Sequence, residues 1–240
     1  MAEREIKIKV DNKTIVLGLL FMMALSFGAG LLFQSLSKAE KVAVETDSVA
    51  PVAAAVAPSE DMSLIPVADN NDHILGEINA EAVIITYTDF ECPYCQKFHP
   101  VAEQIKKEYG DKVAIVYRNY PLAFHPKAEK TAEATECVAE LGGNEAYWKM
   151  ADLIFAQMPN LEVSQLGTLA SSLGINEAKF NECVDSGKYA DKIKAEMDIA
   201  ASAGIQGTPG SAIIGKNGKR EFIPGALPYE QVKQLLDKVL

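Results

Sequence analysis

A chain of 240 residues that is 48% apolar can bury a full core in one large or two small domains. Its formal net charge of −10, with no lysine or arginine cluster, excludes nucleic acid and an anionic membrane surface as main partners. Four cysteines are too few for a disulfide scaffold, so they must be read individually.

From the N-terminus, residues 1–13 carry Arg4, Lys7, Lys9 and Lys13, diluted by Glu3, Glu5 and Asp11. TIVLGLLFMMALSFGAGLLF, Thr14 to Phe33, then runs for 20 positions without a charge. As a helix it would span about 30 Å, the thickness of a bilayer core. Behind it Lys38 and Lys41 are the only close basic residues. The positive-inside rule therefore keeps the N-terminus cytoplasmic and exports the remainder. A cleaved signal peptide competes, but no convincing Ala-x-Ala-like site follows the run. A buried core helix is seldom charge-free for so long. Residues 14–33 are thus expected to be a transmembrane anchor. Residues 34–72, rich in Ala, Val, Pro and Ser without periodicity, are expected to be a flexible tether. Under either export reading all four cysteines leave the cytosol, and disulfides persist there.

The folded domain is expected over 73–240. AVIITYTDF, Ala82 to Phe90, is a β-branched and aromatic run that predicts a buried strand. A helix follows from about Pro93 to Tyr109, and KVAIVYRNYPL, Lys112 to Leu122, predicts a second strand. A helical block fills about 126–204, with Tyr147, Ala151, Ile154, Phe155 and Met158 on one face. SAIIGKNGKREFIPGA predicts a hairpin turning at Asn217-Gly218, and PYEQVKQLLDKVL an amphipathic closing helix. The order is β-α-β, helical block, β-β-α.

Cys92 and Cys95 stand at the predicted strand-to-helix junction. There the unpaired N–H groups and dipole of the helix stabilise a thiolate on Cys92. Pro93 suits the first turn because it has no N–H to lose. Cys95, one turn on, can close a small disulfide with it, so Cys92 would be the attacking sulfur and Cys95 the resolving one. Structural zinc competes, but Cys137, Cys183 and the three histidines are scattered rather than at finger spacing. A purely structural Cys92–Cys95 bridge would close too short a loop to stabilise much. No metal or cofactor is expected. Downstream, Thr208-Pro209 directly precedes a predicted strand, where a trans proline would remove a ladder donor. A cis peptide there would set the Thr208 backbone beside Cys92 as a docking strip for an extended substrate.

DFECPYCQKFHP, YPLAFHPKAEKTAEATECVAE, LGINEAKFNECVDSG and GTPGSAIIGKNG together resemble the DsbA-like thiol:disulfide oxidoreductases. The likeness covers His73 to Leu240, with the motifs in the family's order. It implies an α/β thioredoxin-like fold with an inserted helical block, here preceded by the transmembrane helix. It also implies extracytoplasmic dithiol exchange, a cis Pro209, Cys92 as nucleophile and Cys95 as its resolving partner. Implied partners are exported cysteine-containing proteins or peptides, and a quinone-linked membrane thiol oxidase that reoxidises the pair.

The chain also departs from that family. Many thioredoxin-fold enzymes carry a buried acid six positions before the first cysteine, and here Thr86 stands there. Tyr94 replaces the histidine of strongly oxidising members, so no imidazolium supports the thiolate. Glu91 opposes it and Lys97 compensates in part. Pro93 and Tyr94 would thus tune a thiol pKa that is lowered but not extreme. Some DsbA-like relatives carry a disulfide in the helical block, so Cys137 and Cys183 are expected to be bonded rather than two buried free thiols. His99 and His125 read as structural or surface residues. An exported reductase or isomerase is the enzyme alternative. A thioredoxin-like adaptor or soft-metal chaperone is the non-enzymatic one.

Overall fold

A computed structural model describes residues 60–240. Segments 1–13 and 14–33 and most of the expected tether lie outside the described residues. Among the described residues, no helix is long and apolar enough to cross a membrane.

The strands are β1 (His73–Leu75), β2 (Ala82–Thr88), β3 (Val113–Asn119), β4 (Gly210–Gly215) and β5 (Arg220–Pro224). They form one sheet in the order β1-β3-β2-β4-β5. β2 and β3 run parallel, which requires a crossover, and α1 (Pro93–Tyr109) supplies it. All other pairings are antiparallel. Every residue of β2, β3 and β4 is buried, as expected for strands covered on both faces.

Period-two alternation divides β2 between two cores. Ala82 and Ile84 point to the face packed by α1, α2 (Ala128–Gln157) and α6 (Tyr229–Val239). Val83, Ile85 and Tyr87 point to the other, beneath Ala200 and Ile205. Ile84 and Ile85 are essentially fully buried, each stabilising the fold by about 1.5–3 kcal/mol.

The helical block comprises α2, α3 (Leu166–Ser172), α4 (Glu177–Ser186) and α5 (Ala190–Ser202). Tyr147, Ala151, Ile154, Phe155 and Met158 are all buried, so the apolar stripe packs inward. The long α2 breaks at Gly143, where a φ of 82° interrupts the helix at little cost only for glycine. The hairpin turns at Asn217-Gly218, with Gly218 at φ 86°.

Folded contacts begin upstream of the expected start at His73, so residues 61–72 are not part of a free tether. A 3-10 turn spans Met62–Leu64, and Ile65 is fully buried. Arg220 donates to the carbonyls of Met62 and Ile65, both at 2.6 Å. Arg118 donates to the Pro66 carbonyl at 3.1 Å and pairs with Asp72 at 2.8 Å. Both clamps come from distant strands, and a window-based reading of aperiodic residues could not reveal them. Strand β1 carries no sequence signal of its own, because three residues are too few to show a period.

Candidate active site

β2 ends at Thr88, and the turn through Asp89, Phe90 and Glu91 delivers Cys92 as the residue capping α1. Cys92 has extended backbone angles (φ −72°, ψ 122°), and Pro93 opens the helix. Both thiols are free, with Cys92 4% and Cys95 2% exposed. Antiparallel pairing of Tyr87 with Gly210 brings the loop before β4 to the same sheet end. That register carries Thr208, joined to Pro209 by a cis peptide, to the thiols. The Cys92 S–H donates to the Thr208 carbonyl at 3.4 Å.

Electrostatics separate the two sulfurs. A hydrogen bond from Cys95 pulls the Cys92 thiol down to about 5 against the opposing effect of burial. Thr208 and the N–H groups of Cys95 and Tyr94 add to that pull. The Thr208 hydroxyl is buried and has no other partner, which leaves it free to donate to a thiolate. Burial pushes Cys95 well above the ordinary thiol range, and the neighbouring Cys92 adds to the rise.

Sequence reasoning missed a second layer of support. Asp89 is buried, and its N–H donates to Cys95 Sγ at 3.4 Å. Its carboxylate accepts from the N–H of Glu91 at 2.8 Å and of Leu122 at 2.9 Å, and contacts His125 Nδ1 at 2.6 Å. One side chain thus braces the cysteine turn against the 121–125 loop. His125 is therefore structural, and it borders a cleft of about 370 Å³ that also touches Leu122, Ile193 and Met197. Nothing in the spacing of residues 89 and 125 could have linked them.

The expected modulators fall into place differently. Tyr94 is 59% exposed, and Lys97 lies 5.4 Å over its ring rather than at a sulfur. Glu91 accepts from the Lys127 N–H at 2.5 Å, which turns its carboxylate toward α2. Thr86 is buried and accepts from the Ser211 hydroxyl at 2.9 Å, so its position holds a neutral pair instead of an acid. Cys137 and Cys183 form a disulfide joining α2 to α4 across 46 residues, within the helical block. A second cleft, of about 310 Å³, runs along Thr208 and Pro209 between Gln206 and Phe222.

The thioredoxin family profile matches residues 68–238. Among solved structures, Pseudomonas aeruginosa DsbA2 is 26% identical at a TM-score of 0.60, covering 70% of this chain and 94% of that one. BdbD from Bacillus subtilis, at 24% identity, shares the fold at a TM-score of 0.61 over 70% of this chain and 91% of its own. A Na(+)/H(+) antiporter NhaA 3 of Salinispora tropica is 33% identical over 162 residues, 67% of this chain but only 24% of the antiporter. The chain thus spans about a quarter of the length of the curated relatives it matches. The profile match covers most of the chain, and the chain belongs to the thioredoxin family as a DsbA-like thiol:disulfide oxidoreductase.

Proposed function

We propose that this oxidoreductase is a membrane-anchored, extracytoplasmic oxidase that forms disulfides in exported proteins. The observation that carries the reading is the split between the two thiols, Cys92 at about 5 and Cys95 raised. A stable Cys92 thiolate favours the dithiol form, which makes the disulfide form a stronger oxidant. It also makes Cys92 the better leaving group.

In the proposed cycle a substrate thiolate attacks Cys92 Sγ of the Cys92–Cys95 disulfide. The S–S bond breaks, and its electron pair goes to Cys95, whose high affinity for a proton traps it as a thiol. A second substrate thiolate attacks the substrate sulfur of the mixed disulfide and expels the Cys92 thiolate. Two electrons have then passed from substrate to enzyme. If the second substrate thiol is absent, Cys95 attacks Cys92 and releases the substrate unchanged. The extended substrate lies along Thr208-Pro209, with Pro93 and Tyr94 forming the exposed rim beside it. A quinone-linked thiol oxidase in the membrane takes up the two electrons, and the 14–33 helix keeps the domain near it. Export of the domain is supported by the charge-free run and its basic N-terminal flank.

Equilibration of Cys92/Cys95 against glutathione tests the direction of flow. A potential of about −120 mV supports an oxidase, whereas one of about −270 mV supports a reductase instead. In cells, Cys95→Ala should accumulate mixed disulfides with exported proteins, and Cys92→Ala should accumulate none. Labelling of Cys92 by an impermeant thiol reagent in intact cells tests its compartment. Protection of Cys92 until the cells are lysed would place it in the cytosol and overturn the export reading.

A further inference from the structure

We infer that His99, Glu103 and Asp152 form a site for one divalent first-row transition ion of the zinc class. One ligand atom from each residue lies within 4.8 Å of the other two. His99 and Glu103 are four residues apart on α1, hence on one face, and Asp152 reaches them from α2. His99 Nε2 and Asp152 Oδ1 are already 2.8 Å apart. Ligands at about 2.0–2.1 Å from a tetrahedral metal stand about 3.3 Å from one another, so small side-chain rotations close the set.

Three further features suit a cation. His99 is 7% exposed, and its Nδ1 lies 2.8 Å from the Tyr117 hydroxyl. That contact fixes the ring as outer partners fix metal-bound histidines, and leaves Nε2 facing the carboxylates. Among the described residues, neither Glu103 nor Asp152 pairs with a lysine or arginine, although both are exposed. A dication would neutralise the two adjacent anions. His99, Glu103 and Asp152 line an open cleft of about 390 Å³ together with Pro100 and Phe155, which leaves room for a fourth ligand such as water. One imidazole with two carboxylates favours zinc and its neighbours over soft-metal sites, which need thiolates. The ion would cross-link the helix that carries the redox cysteines to the helical block.

Titration with Zn2+ is the test, followed by calorimetry on the full chain with Cys92–Cys95 held as a disulfide so that the thiols cannot bind. One equivalent should bind at micromolar zinc and raise Tm. Glu103→Gln and Asp152→Asn, both at exposed positions, and His99→Gln should each weaken binding about tenfold or more and abolish the Tm rise. Circular dichroism checks that each variant is folded. No binding by the oxidised wild-type chain, or weakening in fewer than two of the three variants, overturns the proposal.

Discussion

The Thr208 carbonyl lies 3.4 Å from the sulfur of Cys92, although 116 residues separate them along the chain. Antiparallel pairing of β2 with β4 produces the meeting, and the thiol acquires a polar neighbour that its own helix could not provide.

The first prediction concerns that neighbour. Cys92 is a thiolate above about pH 5, so alkylation should be fast at neutral pH and fall away as pH drops through 5. Thr208→Val removes the buried hydroxyl while keeping the side chain's shape. It should raise the alkylation midpoint by about one pH unit, because a donor to the charged form is lost. A pH profile of iodoacetamide labelling of the reduced wild-type and Thr208→Val chains measures both, because Cys95 there keeps its hydrogen bond to Cys92 and stays a buried thiol, and an unchanged midpoint would show the hydroxyl is not used.

A second prediction follows from Asp89. Its carboxylate accepts from two backbone N–H groups and contacts His125, all in a buried setting. Asp89→Ala strands those donors, at a cost of about 1–3 kcal/mol for each one left unsatisfied. Urea unfolding should show a loss of at least about 2 kcal/mol, and Asp89→Asn, which keeps one acceptor oxygen, a smaller one. His125→Ala should cost less than Asp89→Ala, since both backbone donors stay paired.

The third rests on a buried acid cluster behind β3. Glu196 accepts from the N–H and side chain of Asn119 at 2.6 and 3.0 Å, and shares Lys192 with Glu136. Burial pushes Glu196 up to about 7, and the charge of Glu136 adds to the rise. The folded chain therefore holds a proton that the unfolded chain has already released above about pH 4.5. Stability should fall as pH rises from about 4.5 to 7, by up to about 3 kcal/mol at about 1.4 kcal/mol per unit. Glu136 is shifted the other way, so its effect lies below that window. Denaturation of Glu196→Gln at pH 5 and 7.5 should give nearly equal stabilities. A slope as steep as that of the wild-type chain would exclude Glu196 as its source.

The fourth concerns the bridge in the helical block. Cys137–Cys183 closes a span of 46 residues, and chain entropy assigns such a loop about 4 kcal/mol. The double variant Cys137→Ala/Cys183→Ala should lose about 2–4 kcal/mol in urea unfolding. Its exchange rate per folded molecule should be retained, because the bridge ties α2 to α4 while the exchanging thiols stand at the start of α1. Loss of exchange at full folding would instead indicate a redox role for the second pair.

The local grammar of this chain was legible without coordinates. β-branched runs marked the buried strands, Pro93 after Cys92 marked the start of α1, and Asn217-Gly218 marked the hairpin, because each signal is complete within a few residues. The thiol pair and its Thr208-Pro209 counterpart were legible for the same reason, as short motifs at element boundaries. The long-range pairs were not. The arginines that gather residues 62–66, the Asp89 brace, the three-residue edge strand β1 and the His99–Glu103–Asp152 cluster join side chains across elements. No periodicity links such positions. The residue order marked the Cys92–Cys95 pair and the Thr208-Pro209 turn as candidates for thiol chemistry, because both are short motifs at element ends. Tertiary structure decided which of them meet, because sheet register and helix packing set those distances and no local propensity does.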